Sequence, residues 1–136
     1  MSVASLSGRC RCGAVRYSCG TPATTATLCH CESCRRTAGA HVVAWLTTAA
    51  RDFTLTAGSP VEYRSSPSAR RSFCGRCGTP LSYRHDSRPD EVDVQLATLD
   101  EAAVFAPVDH VWMVDALPWD RPADGLPQYP QSRPMS

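Results

Sequence analysis

Seven of the eight cysteines in this 136-residue chain fall into three short clusters, and no other feature limits the fold so tightly. They are Cys10-x-Cys12, Cys29-x-Cys31-x-x-Cys34 and Cys74-x-x-Cys77. Thiols at these spacings chelate one ion between them, whereas a disulfide framework calls for an oxidising compartment. The opening "MSVASLSGRCRCG" has no apolar stretch of signal-peptide length, and no later run is long enough to span a bilayer. The expectation is a metal-stapled protein in the cytoplasm.

Two of the clusters add up to one closed site. Cys74-Gly75-Arg76-Cys77-Gly78 has the form of a zinc knuckle, with a glycine placed to turn backbone N–H groups toward the sulfurs. Cys10 and Cys12 share a face if the chain there is extended, and a bulge at Gly13 would bring their sulfurs to the side of Val15, Tyr17 and Cys19. With Zn–S near 2.3 Å, tetrahedral sulfurs sit about 3.8 Å apart. Cys10, Cys12, Cys74 and Cys77 then form a four-thiolate site with no position left for a substrate, and iron is the main competing metal.

The middle cluster, "CHCESC", stops at three thiols. Cys29 and Cys31 repeat the alternate spacing, His30 points to the other face, and Cys34 returns from the first turn of a helix. Three thiolates around a zinc dication leave one net negative charge and one open position, as catalytic zinc sites do. Arg35 and Arg36 follow at once and are candidate contacts for a thiol substrate, since they offset the charge that a fourth thiolate would add. The alternative is that Cys19 closes this site too; its parity with Val15 and Tyr17 instead makes it a small buried apolar residue. His30 and His85 read as surface or hydrogen-bonded histidines, and His41 as a core histidine before a general base. "DHVW" (109–112) is a weak pocket candidate, and Arg70 and Arg71 are a solvated pair or an anion site.

Most of the remaining chain has the period of strands. Val92, Val94 and Leu96 alternate with Asp93 and Gln95, and Phe53 with Leu55, Val61 with Tyr63 and Leu81 with Tyr83 show the same spacing. His41 to Leu46 is a continuous apolar run, expected as a strand buried on both faces. The one good helix runs from Glu32 to about Ala38 and stops at Gly39. A proline-rich tail from about 117 to 136 carries Trp119, Leu126 and Tyr129, so it is expected to drape over the body. The reading is one mainly β domain, residues 1–136, built from small antiparallel sheets with one short helix and stapled by zinc.

All 14 basic residues are arginine, yet the formal net charge is only +1. No global field draws nucleic acid or an anionic membrane to such a chain, and no basic tail is present. Two function classes stay open. One is a zinc enzyme acting on a thiol; the other is an interaction module in which both zinc sites are structural. Dispersion of the cysteines among strands speaks against a redox or metal-storage protein.

"GRCRCGAVRY", "CHCESCRRTAGA", "FCGRCGTPL", "LATLD", "PVDHVW" and "ALPWD" occur in this order from Gly8 to about Asp120. Together they resemble the glutathione-dependent formaldehyde-activating enzyme family, which also includes centromere protein V. The resemblance implies a β-tent fold with two zinc ions. It places the structural ion on Cys10, Cys12, Cys74 and Cys77 and the catalytic one on Cys29, Cys31 and Cys34. It also implies a carbon–sulfur lyase joining formaldehyde and glutathione or a related thiol, or the reverse. Cys19 matches no cysteine motif of the family.

Overall fold

The computed structural model describes residues 5–22 and 25–134. Along the chain run β1 (Leu6–Arg9), β2 (Arg16–Cys19), β3 (Thr27–Cys29), α1 (Glu32–Ala38), β4 (Val43–Ala49), β5 (Thr54–Ala57), β6 (Val61–Ser66), β7 (Ala69–Phe73), β8 (Pro80–His85), β9 (Glu91–Gln95) and β10 (His110–Val111). They form a three-stranded sheet of order β1-β2-β5 and a seven-stranded sheet of order β10-β3-β4-β9-β8-β7-β6. The protein is mainly β with one short α-helix, as its periodicity implies. Every ladder is antiparallel except β10 against β3, which is parallel.

The core lies between the sheets. Tyr17 and Cys19 from β2 meet Leu46, Leu81, Val92 and Val94 from the large sheet. A second cluster, containing Cys29, Cys34, Val43, Trp45 and Val111, is separate from it. Strand β4 serves both clusters, because successive side chains point to opposite faces. Leu46 joins the first cluster, and Val43 and Trp45 join the second. The apolar run around it is therefore buried on both faces, as expected.

Three local expectations are corrected. His41 is not a core histidine: the strand begins only at Val43, and the imidazole is 48% exposed in the loop leaving α1. Val61 and Tyr63 alternate as a strand should, but β6 is the outer edge of its sheet and both side chains stay exposed. Leu96 is buried but falls in the 3-10 turn Leu96–Thr98 that ends β9.

Helix α1 has the predicted limits. Cys31 is its N-cap, with an extended backbone and a sulfur that accepts from Cys34 N at 3.2 Å. Gly39 ends it at φ 65°, a left-handed turn that any side chain would strain, with its N–H on Arg35 O. The proline-rich tail is bonded to β10 and the residues after it. His110 N donates to Pro127 O, Tyr129 N to His110 O, and Trp112 N to Gln131 O. Tyr129 packs on the second cluster, whereas Trp119 remains 68% exposed. Among the described residues, no helix is long and apolar enough to cross a membrane.

Leu46→Ala is expected to cost about 2–5 kcal/mol, because it empties a fully enclosed site between the sheets. Leu55→Ala, at an exposed position of β5, is expected to stay within about 0.5 kcal/mol of the parent. Urea unfolding midpoints of the two variants check the contrast.

Candidate metal centres and the cavity beside them

The four-thiol cluster is made by two hairpin turns. Cys10 and Cys12 lie in the turn between β1 and β2, and Cys74 and Cys77 in the turn between β7 and β8. The first turn corrects the expectation of an extended strand with a bulge. Strand β1 stops at Arg9, and Gly13 closes a turn at φ 79° with its N–H on Cys10 O. Arg11 N donates to Thr79 Oγ1 at 2.9 Å and so ties the turns together. The second turn is the expected knuckle. Arg76 N and Cys77 N both donate to Cys74 Sγ at 3.4 Å, and Gly78 takes φ 82° with its N–H on Cys74 O.

These sulfurs fit zinc. Cys10 Sγ lies 3.6 Å from Cys12 Sγ, and Cys12 Sγ 3.9 Å from Cys74 Sγ, close to the edge of about 3.8 Å in a zinc–thiolate tetrahedron. All four sulfurs lie within 4.8 Å of one another. Val15 N adds a donor to Cys10 Sγ at 3.3 Å, and the hydroxyl and backbone of Thr79 hold the Cys77 thiol well below the ordinary thiol range. Donors aimed at sulfur suit thiolates, which accept more strongly than thiols.

The three-thiol cluster is built at the junction of β3 and α1. Cys29 ends the strand, Cys31 caps the helix, and Cys34 sits in its first turn. Their sulfurs also lie within 4.8 Å of one another and can hold zinc, and no other described residue joins the group. Cys19 is buried in the core between the sheets, and burial pushes its thiol up to about 11. Bonds from Cys29 and Cys31, helped by Arg71, push Cys34 strongly down, while Cys31 and Cys34 push Cys29 strongly up. The three thiols thus compete for one ionisation, and a cation among them removes the competition.

All three cysteines open into a cavity of about 820 Å³. Trp45, Tyr83, Val111 and Trp112 supply apolar wall, and Arg71, Arg88 and Arg133 the cations. Trp112 is the one described non-glycine residue with a positive φ, 59°, a costly conformation of the kind that concentrates at functional sites. Arg71 is buried, and its Nη2 reaches Ser33 Oγ at 3.0 Å and Cys34 Sγ at 3.6 Å. Arg36 points elsewhere: it is 71% exposed and pairs with Glu32 at 2.9 Å. Neither Arg35 nor Arg36 lines the cavity. The alternation of β7 carries the signal for Arg71. Adjacent arginines on a strand face opposite ways, and Arg71 is the register partner of Tyr83.

His30 faces away from the cavity, as the sequence implies. It is buried, with Nε2 2.8 Å from His110 Nδ1 and Nδ1 3.1 Å from Asp120 Oδ2. The network continues from Asp120 to His41 and from His110 to Asp124, each at 2.8 Å. Burial pushes the His30 imidazolium down against the pull of Asp120. His85 is hydrogen-bonded to Ser87 at 2.7 Å. The His30 network joins the back of the cluster to the tail; only the widely spaced His110, Asp120 and Asp124 could have announced it in the sequence.

The sequence model described as glutathione-dependent formaldehyde-activating enzyme matches residues 5–115. A Rhodobacter sphaeroides protein of known crystal structure is similar in fold, with TM-score 0.60 and 24% identity. The alignment covers 90% of this chain and 98% of that one. At that identity the likeness speaks for the fold alone.

The two clusters are expected to fail differently. Cys77→Ser breaks the sulfur set that ties together turns 62 residues apart, and is expected to abolish cooperative unfolding. Cys34→Ser is expected to stay folded and lose one zinc per chain. Circular dichroism melts with zinc analysis check both, and equal melting of the two variants would contradict the division.

Proposed function

Because the chain belongs to the glutathione-dependent formaldehyde-activating enzyme family, matched over residues 5–115, we propose that it is a zinc-dependent carbon–sulfur lyase. The reaction is addition of glutathione, or another small thiol, to formaldehyde or a related aldehyde, or the reverse. One observation carries the reading: the four-thiol cluster is complete in itself, whereas the three-thiol cluster opens into a cavity of ligand size.

Zinc bound by Cys29, Cys31 and Cys34 supplies Lewis acidity that favours the thiolate form of an incoming thiol. The protein's own groups do the rest. Arg71 places a positive charge against Cys34, which makes added negative charge tolerable there. Trp45, Tyr83 and Trp112 give the cavity apolar wall, which strengthens charge interactions beside it. In the addition, the sulfur lone pair forms the carbon–sulfur bond and the carbonyl π pair moves onto oxygen. The resulting alkoxide takes the proton that the thiol gave up.

In this reading Cys10, Cys12, Cys74 and Cys77 hold a structural ion. The arginine nearest the reacting sulfur is Arg71, with Arg35 and Arg36 outside the cavity. The partners are a small thiol and an aldehyde, not a nucleic acid or a membrane, and a reducing cytoplasm suits eight free thiols.

Cobalt substitution tests it. Glutathione titrated into the cobalt protein is expected to raise the sulfur-to-cobalt charge-transfer band saturably in the parent and in Cys19→Ala, but not in Cys34→Ser. Exchange of formaldehyde with its glutathione adduct, followed by NMR, is expected to exceed the spontaneous rate in the first two alone. A cobalt spectrum that shows two complete four-sulfur sites and ignores added thiol would make the protein a scaffold.

A further inference from the structure

Three arginines line the cavity, and two of them are already matched by carboxylates. Arg88 donates to Glu91 at 2.7 Å and to Asp93 at 2.9 Å, and Arg133 is clasped by both carboxylate oxygens of Asp109. Arg71 is different. It is 4% exposed, and among the described residues it makes no ion pair with a carboxylate. Its guanidinium lies over Tyr83 at 4.7 Å and Trp45 at 6.0 Å, which fixes its place. One nitrogen, Nη2, serves Ser33 and Cys34; Nε and Nη1 are buried and have no hydrogen-bond partner.

Unpaired donors on a buried charged group are strongly unfavourable, so they mark a place where an acceptor arrives with a ligand. The position limits which acceptor. Arg71 touches Cys34, so an oxygen that meets it lies close to whatever sulfur joins the cluster. The carboxylates of glutathione are many bonds from its thiol and do not fit that requirement. An oxygen two or three bonds from the sulfur does.

We propose that Arg71 forms an oxyanion subsite beside the three-thiol cluster, in which one of its unpartnered nitrogens, Nε or Nη1, donates to an anionic oxygen two or three bonds from the bound sulfur. The inference rests on the reading that a thiol binds at that cluster. Two sources share this chemistry: the alkoxide formed when the sulfur adds to an aldehyde, and the carboxylate of a short mercapto acid. Arginine does not give up its proton at neutral pH, so it acts on either by charge and a donated hydrogen bond and not as the acid.

Binding separates this role from that of a plain counter-ion. The cobalt-loaded protein is titrated with mercaptoacetate and with 2-mercaptoethanol, which carry a carboxylate and a neutral hydroxyl at matching distance from sulfur. The parent is expected to prefer mercaptoacetate by about tenfold or more, and Arg71→Met to bring the ratio near unity. Arg71→Lys keeps the charge without the planar guanidinium that places the donor, and is expected to fall between, which gives a second variant should the first not fold. If Arg71→Met weakens both thiols equally and keeps the ratio, Arg71 only balances the sulfurs and the subsite is refuted. No preference in the parent refutes it as well. A parent whose cobalt spectrum responds to neither thiol overturns the lyase reading and the subsite together. Turnover then distinguishes the two sources. A fall of about 10²–10³ in adduct exchange at saturating thiol assigns the subsite to the alkoxide, and an unchanged rate with a lost binding preference assigns it to a carboxylate on the thiol.

Discussion

Sulfurs crowded within 4.8 Å of one another cannot all be thiolates unless a cation sits among them. The rest of the structure is arranged around that constraint, twice. In the first cluster, two hairpin turns from different sheets meet at their sulfurs and at the Arg11–Thr79 hydrogen bond. Structural zinc in small peptides contributes about 10–16 kcal/mol, as much as the whole stability of an ordinary domain. A cation at these turns would therefore act on the scale of the net stability of the whole domain.

The second cluster meets the constraint differently, and the difference is geometric. Cys29, Cys31 and Cys34 come from one strand end and one helical turn, so a single short segment presents all three sulfurs on one side. The residue between them, His30, turns to the other side, where its Nε2 meets His110 and its Nδ1 lies 3.1 Å from Asp120. Thiols face the cavity and imidazoles face the tail. This separation keeps histidine out of the coordination set while fixing the backbone that carries the cysteines.

Charge near the open cluster is supplied from across the sheet. Arg71 comes from β7, is stacked on Tyr83 and Trp45, and reaches Cys34 from the far wall of the cavity. Arg36, two residues after Cys34, lies on the exposed side of its helix, where Glu32 one turn earlier is its nearest partner. Proximity along the chain points to Arg35 and Arg36, whereas the arginine in contact with Cys34 is Arg71. Exposure and a local partner remove Arg36 from the cluster, and burial without a partner puts Arg71 there.

Much of this protein was legible in its sequence because the informative patterns are local. Thiol spacing depends on two to five residues of backbone, so the partition of seven cysteines into four and three could be read directly, as could the helix from Glu32 to Ala38 and its stop at Gly39. Alternation found the strands for the same reason. What alternation cannot supply is which strand ends up at an edge, so the exposure of Val61 and Tyr63 was not readable. Nor could it place His41 outside β4, or show that Cys10 and Cys12 belong to a turn. The contact of Arg71 with Cys34 and the His30–His110–Asp120 network depend on residues from 37 to 90 positions apart meeting. Sequence marked the clustered thiols, because chelating spacing within each cluster is short-range. Only the tertiary structure decided what faces them, because burial and charge pairing are set by the strands that close over the site.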